Sequence, residues 1–337
     1  MQNMQTQSEQ ATEVRSQASE WAARSDSPKR SVFENYRAGG APVSGPACSE
    51  GRPQRAGSEI GAPLQESIDL AIARSFIHRF LAKAYEDPLP EGWQWLCDAR
   101  TQTSLRAAWD VVQGRTGVAP VANLIEQNCL EGISKDGERR DACPTFKSEA
   151  FDSFYSSYLA AFGHAARGSC PLNEIEYGDL KADPLFQPHR LADLAAFYRA
   201  FGLEVADDAS ERHDHICIEL EFMSVLAAKE AYALEHQADE DQLEICRGAQ
   251  KKFLREHLGR WAPAFARRLR DEAGDGPLAA LADLLRQFVL DECTRFGATP
   301  GGEDLLLRPV DEATESMCAS CGLAGLPPGA TVAPAQA

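Results

Sequence analysis

The sequence predicts an all-α fold, a single helical-bundle domain between two tails, and three observations carry that prediction. Apolar residues recur every three or four positions through most of residues 66–296. The periodic segments stop at glycine or proline. No run alternates Val, Ile or Thr with polar residues as a half-buried strand does.

Taken in order, residues 1–62 are rich in Gln, Ser, Ala, Gly and Pro without an apolar period, and are expected to form a disordered tail. The helical domain is expected over 63–298. Its first helix spans 66–86, where Ile68, Ile72, Phe76, Phe80 and Ala84 recur every four residues and Ile77, Leu81 and Tyr85 widen the stripe before Asp87-Pro88 ends it. A second runs from about Thr145 to Phe162 on Phe151, Phe154, Tyr155, Tyr158 and Leu159, stopped by Gly163. Pro188 suits the first turn of a third, which carries Leu191, Leu194, Tyr198 and Phe201 to Gly202.

Ser210 is read as the N-cap of a fourth helix over 211–235, with Asp214 in its first turn, where the helix dipole favours a carboxylate. Periodic segments at 240–260, 262–273 and 277–296 complete the bundle, with Trp93, Trp95, Trp109 and Trp261 as core or groove-wall residues. Residues 299–337, with paired glycines and a Gly, Pro and Ala-rich finish, are expected to be a loose tail holding Cys318 and Cys321. Helix connections in bundles are usually short, so the long loop from Gly163 to about Leu185 marks a candidate functional segment.

The 337 residues are 44% hydrophobic, enough for a sizeable core, and the net charge of −17 argues against sequence-independent binding to nucleic acid or anionic lipid. The charge is uneven. Residues 1–60 are neutral, whereas 204–241 hold twelve acids against Arg212 and Lys229. Such a run is either a solvated helix face or a docking surface for a cationic peptide. Ten scattered cysteines are too dilute for a disulfide scaffold and fit a reducing compartment; no apolar run is long enough to span a membrane, and the chain reads as cytoplasmic.

Enzyme signatures are missing. The chain has no phosphate loop, dinucleotide fingerprint, nucleophile elbow or His-Glu-x-x-His helix. His215 and Glu219, four apart, share a helix face and offer two metal ligands; Cys318 and Cys321 have the spacing of a metal knuckle or redox pair but lack a second pair. A helical metal-binding or redox protein using either pair is the alternative reading.

The most distinctive stretch is Glu211-Arg212-His213-Asp214-His215-Ile216-Cys217-Ile218-Glu219-Leu220-Glu221-Phe222-Met223. With the aromatic helix ending in Tyr158-Leu159-Ala160-Ala161-Phe162-Gly163, the loop Cys170 to Gly178, and Phe253-Leu254-x-x-His257-Leu258-x-x-Trp261-x-Pro263, it resembles the TorD/DmsD/NarJ superfamily of redox-enzyme maturation chaperones. The resemblance covers about residues 66–296. His213 stands where that family usually has proline, and the N-terminal tail and the Cys-x-x-Cys lie outside its motif.

The resemblance implies a non-catalytic cytoplasmic chaperone with a TorD-like fold and no cofactor of its own. Its partner would be the apo catalytic subunit of a molybdopterin-guanine-dinucleotide oxidoreductase, engaged in part through a twin-arginine signal peptide and held for cofactor insertion before export. Molybdenum-cofactor biosynthesis proteins are further implied partners. Client binding falls on Glu174, Glu176, Tyr177, Asp214 and His215, with Glu219 one turn further on. Carboxylates beside an apolar groove suit guanidinium groups followed by an apolar stretch.

Overall fold

The computed structural model describes residues 62–114, 148–163, 168–178, 186–206, 209 and 211–308. Among these residues are nine α-helices: α1 (Ala62–Tyr85), α2 (Pro90–Cys97), α3 (Ala99–Gln113), α4 (Ser148–Phe162), α5 (Phe186–Ala200), α6 (Ile216–Glu235), α7 (Glu240–Glu256), α8 (Leu258–Ala273) and α9 (Pro277–Phe296). A 3₁₀ turn covers Glu174–Glu176, and among the described residues β-structure is limited to two isolated bridges.

α6 is central because its sequence is apolar nearly all round, so no face needs water. Fifteen of its twenty residues are buried. α1 lies along α6 in the most extensive helix pairing, and α8 against α9 forms the next. Phe80, Leu81 and Tyr85 of α1, Leu220, Phe222 and Met223 of α6, Trp261 and Phe265 of α8, and Leu285 and Phe288 of α9 are completely buried in one core. Trp93, Trp109 and Trp261 are buried as expected, and Trp95 is partly buried against the same core.

Helices α2 and α3 had not been read from the sequence. Pro90 opens α2, and Asp98 both ends α2 and caps α3, its carboxylate accepting from the Arg100 and Thr101 amides at 2.9 and 3.2 Å. The start of α6 also differs. Ile216 is its first residue, His215 is the N-cap, and Asp214 precedes the cap instead of lying in the first turn; Ser210 lies outside the described residues.

A buried polar cluster ties four helices together. The Arg74 guanidinium of α1 donates to Glu292 of α9 at 2.7–2.9 Å, to Glu230 of α6 at 2.9 Å and to Gln250 of α7. His78 approaches Glu292 at 3.4 Å, and Arg247 holds the other Glu230 oxygen at 2.7 Å. Burial opposes ionisation of Glu292, yet Arg74 and His78 bring its carboxyl down to about 2.

The described residues run past the boundary expected at 298. Pro263, inside α8, has no N–H for the Gly259 carbonyl four residues back. That carbonyl instead accepts from the Gly301 amide at 2.9 Å, fixing a strap of residues 299–308 against the body. A Cβ on Gly301 would sit 1.8 Å from the Arg260 carbonyl oxygen, so only glycine allows this approach. The N-terminal tail and the pair Cys318 and Cys321 lie outside the described residues. Cys97 is disulfide-bonded, against the reducing compartment expected from the scattered cysteines, whereas Cys170, Cys217, Cys246 and Cys293 are free and buried. No described helix is long and apolar enough to cross a membrane.

Candidate functional site

The long loop and the start of α6 meet through backbone pairing. The Glu174 amide donates to the Asp214 carbonyl and the Ile216 amide to the Leu172 carbonyl, both at 2.9 Å, and Asn173 forms an antiparallel bridge with His215. The Asp214 carboxylate then accepts from the Ile175 amide at 3.2 Å and from Asn173 Nδ2 at 3.3 Å. The long loop and the acidic segment singled out in the sequence therefore share one junction.

Their side chains are turned inward. Glu174, Tyr177, Asp214 and Glu219 are completely buried, and Glu176 and His215 nearly so. Glu174 accepts from Arg190, from His257 Nδ1 at 3.0 Å and from Arg260 at 3.2 and 3.3 Å. Burial opposes its charge, but His257, Arg190 and Arg260 hold its carboxyl below the usual carboxylate range. His257 also lies 3.3 Å from Asp193; burial pushes its imidazole down, but hydrogen bonding to Asp193 and Glu174 prevails and raises it above the ordinary value.

Asp214 is matched by Arg212, which donates through Nε and Nη2 at 3.0 and 2.9 Å and is itself 46% exposed. Glu219 differs. Burial and the neighbouring charges of Glu174 and Asp214 push its carboxyl well above the usual range, against the hydrogen bonds that Trp261 Nε1 donates to both its oxygens at 3.1 and 3.2 Å. Burial thus favours its neutral form, and its contact with Trp261 braces α6 against α8. Tyr177 packs on Trp261 with ring centroids 5.1 Å apart and donates its hydroxyl to the Pro171 carbonyl at 2.8 Å.

His215 serves as a cap. Its Nδ1 accepts from the Cys217 amide at 3.3 Å and lies 2.9 Å from the Cys217 sulfur, and burial lowers its imidazole to about 4. His215 caps α6 and Glu219 holds Trp261, so the His215/Glu219 pair has structural duties, while Cys318 and Cys321 lie outside the described residues. No group of three potential ligands occurs among the described residues.

The net −10 of residues 204–241, which the sequence leaves as either a solvated helix face or a docking surface, is divided by the structure. Asp214, Glu219, Glu221 and Glu230 are buried, and Glu235, Asp239, Glu240 and Asp241 are exposed at the other end of α6. A helix of that length spans about 30 Å. At the junction itself, arginines reach the solvent: Arg212, and to a smaller extent Arg190 and Arg260.

Comparisons with known proteins bear on this arrangement. The family model described as nitrate reductase delta subunit matches residues 134–267. The perchlorate reductase assembly chaperone of Dechloromonas aromatica is 26% identical over 227 residues, 66% of this chain and 90% of that one. The selenate reductase assembly chaperone of Thauera selenatis is 32% identical over 146 residues, 43% of this chain and 72% of that one. The chain belongs to the TorD/DmsD/NarJ superfamily of redox-enzyme maturation chaperones. A TorD chaperone of Vibrio cholerae, 37% identical over 164 residues, covers 48% of this chain and 67% of its own length. No solved structure gives a significant match.

Members of this superfamily are assembly chaperones, and this chain is a chaperone and not a catalyst. In this TorD-like chaperone the matched segment includes the whole junction together with His257 and Trp261. Sequence reasoning had noted His257 only as part of a motif and had given the junction arginines no role. The signal available for His257 was its position four residues after Phe253 and four before Trp261, on an otherwise apolar stripe.

Proposed function

We propose that this chaperone binds the apo catalytic subunit of a molybdopterin-guanine-dinucleotide oxidoreductase in the cytoplasm. It holds that subunit for cofactor insertion and engages its twin-arginine signal peptide before export. Molybdenum-cofactor biosynthesis proteins are the partners expected to deliver the cofactor. The observation that carries this reading is the set of relatives named as assembly chaperones of perchlorate, selenate, chlorate and dimethyl sulfide oxidoreductases.

The client docks at the loop–α6 junction. Glu174, Glu176, Tyr177, Asp214, His215 and Glu219 form its frame, fixing loop and helix start relative to each other. A guanidinium of the client exchanges with the half-exposed Arg212 on Asp214, retaining a two-point, charge-assisted contact. Purification from the native host is expected to recover one large redox-enzyme subunit. Asp214→Asn, at unchanged helical content, is expected to reduce that recovery at least fivefold. Full recovery by the variant removes the site assignment, and recovery of no oxidoreductase by the wild type removes the function.

A further inference from the structure

The loop of the junction has two backbone edges. One pairs with residues 214–216, and the other is occupied by the chain's own strap. Tyr177 and Leu307 face each other in an antiparallel bridge, flanked by the Gly178 amide donating to the Leu306 carbonyl and the Arg308 amide donating to the Glu176 carbonyl, both at 2.8 Å. This is how an added strand pairs with an exposed edge.

Leu305 and Leu307 rest against the core, while Leu306 is 64% exposed. Arg268 donates to the Leu305 carbonyl at 3.3 Å, and Arg286 pairs with Glu303 at 2.6 Å, both arginines at least partly in solvent. The Gly301 amide adds a backbone bond to the Gly259 carbonyl that Pro263 leaves free.

We propose that residues 305–308 are a self-ligand, occupying the Glu176–Gly178 edge in place of an extended peptide from a partner. The strap itself defines that peptide: apolar side chains at successive positions followed by a cation, as in Leu305-Leu306-Leu307-Arg308. The partner segment adds as a strand, with an apolar side chain in the place of Leu307 and a cation beside the acidic loop in the place of Arg308. The proposal rests on the reading of the junction as the client site and adds to it the backbone edge used and the segment displaced.

The test uses the full chain carrying Gly301→Val, whose side chain cannot fit against the Arg260 carbonyl, and a capped hexapeptide with the sequence of residues 303–308. A tethered strap competes at an effective concentration on the order of mM. The wild type is therefore expected to bind the peptide at least tenfold more weakly than the variant, and a scrambled peptide is expected to bind neither. Hydrogen exchange at the Gly178 amide reports whether the strap has left, and circular dichroism checks that the helices remain. Faster Gly178 exchange with tighter peptide binding supports the proposal. Faster exchange without a gain in binding overturns it, and so does an unchanged Gly178 amide, because the Gly301 contact then does not seat the strap. Client recovery separates the two readings: a wild type that recovers an oxidoreductase while the peptide fails the test leaves the proposed function standing, whereas loss of client recovery alone leaves the strap result intact.

Discussion

Replacing Arg74 with methionine isolates the contribution of the buried cluster that joins α1, α6, α7 and α9. Methionine retains much of the apolar stem and removes the guanidinium, leaving Glu292 with His78 at 3.4 Å and the Arg295 Nε at 3.4 Å. Removing one partner of a buried ion pair costs about 3–5 kcal/mol. The carboxyl itself gives a second measure: its drop from 4.5 to about 2 corresponds to roughly 3 kcal/mol of preference for the ionised form. Urea unfolding followed by circular dichroism at neutral pH should therefore show Arg74→Met less stable by about 3 kcal/mol or more. Because the Glu292 carboxyl is depressed in the folded chain, its share of stability is fully present above about pH 4.5 and is lost as pH falls toward about 2. The gap between wild type and variant should close over that window. In the double variant Arg74→Met/Glu292→Met, the stability loss should be well short of the sum of the two single losses. A single-variant loss below about 1 kcal/mol, or strict additivity in the double variant, would refute the reasoning.

Three further outcomes follow from the junction. Glu219→Gln keeps an acceptor for Trp261 and matches the neutral form that burial favours, so its stability at pH 7 should stay within about 1 kcal/mol of wild type, whereas Glu219→Leu, which orphans the indole N–H, should cost about 1–3 kcal/mol by thermal melting. His215→Ala should cost about 1 kcal/mol through loss of the α6 cap, and His215→Asn should restore most of it. Since the folded imidazole is lowered to about 4, the cap's contribution should be intact above pH 6.5 and fade as pH falls toward 4, a dependence missing from the alanine variant. His257, raised by Asp193 and Glu174, contributes oppositely: its stabilisation is present below pH 6.5 and lost as pH rises through its elevated value, which NMR titration of the ring and a His257→Gln melting series will follow.

The larger helices were legible because burial imposes a period on sequence. The stripes on α1, α4, α5 and α7–α9 foretold each within a few residues, and Gly163 and Gly202 adopt the positive φ that helix ends favour. α2 and α3 were missed although Pro90, Asp98 and Gly114 signal their ends; α2 has only two turns, and polar residues dilute the stripe of α3. At the junction the residue types were readable, but their direction was not. Nothing near Asp214 in sequence says that its carboxylate turns toward the Ile175 amide, and the partners of Glu174 lie as far away as Arg260. Arg74 and Glu292 are 218 positions apart, a separation no local pattern reports.

The pairing of Asp214 with Arg212 bears on how such a chaperone discriminates. A patch of bare carboxylates would hold any sufficiently basic peptide, and its grip would fade with added salt. If a client guanidinium replaces Arg212 on Asp214 as proposed, the number of ion pairs hardly changes on docking, and ionic strength has little to act on. Choice then depends on whether the newcomer reproduces the fork on Asp214 and fits the surrounding backbone. A chaperone that docked its client in this way would tell cognate from non-cognate leaders by shape, even when all of them are equally cationic.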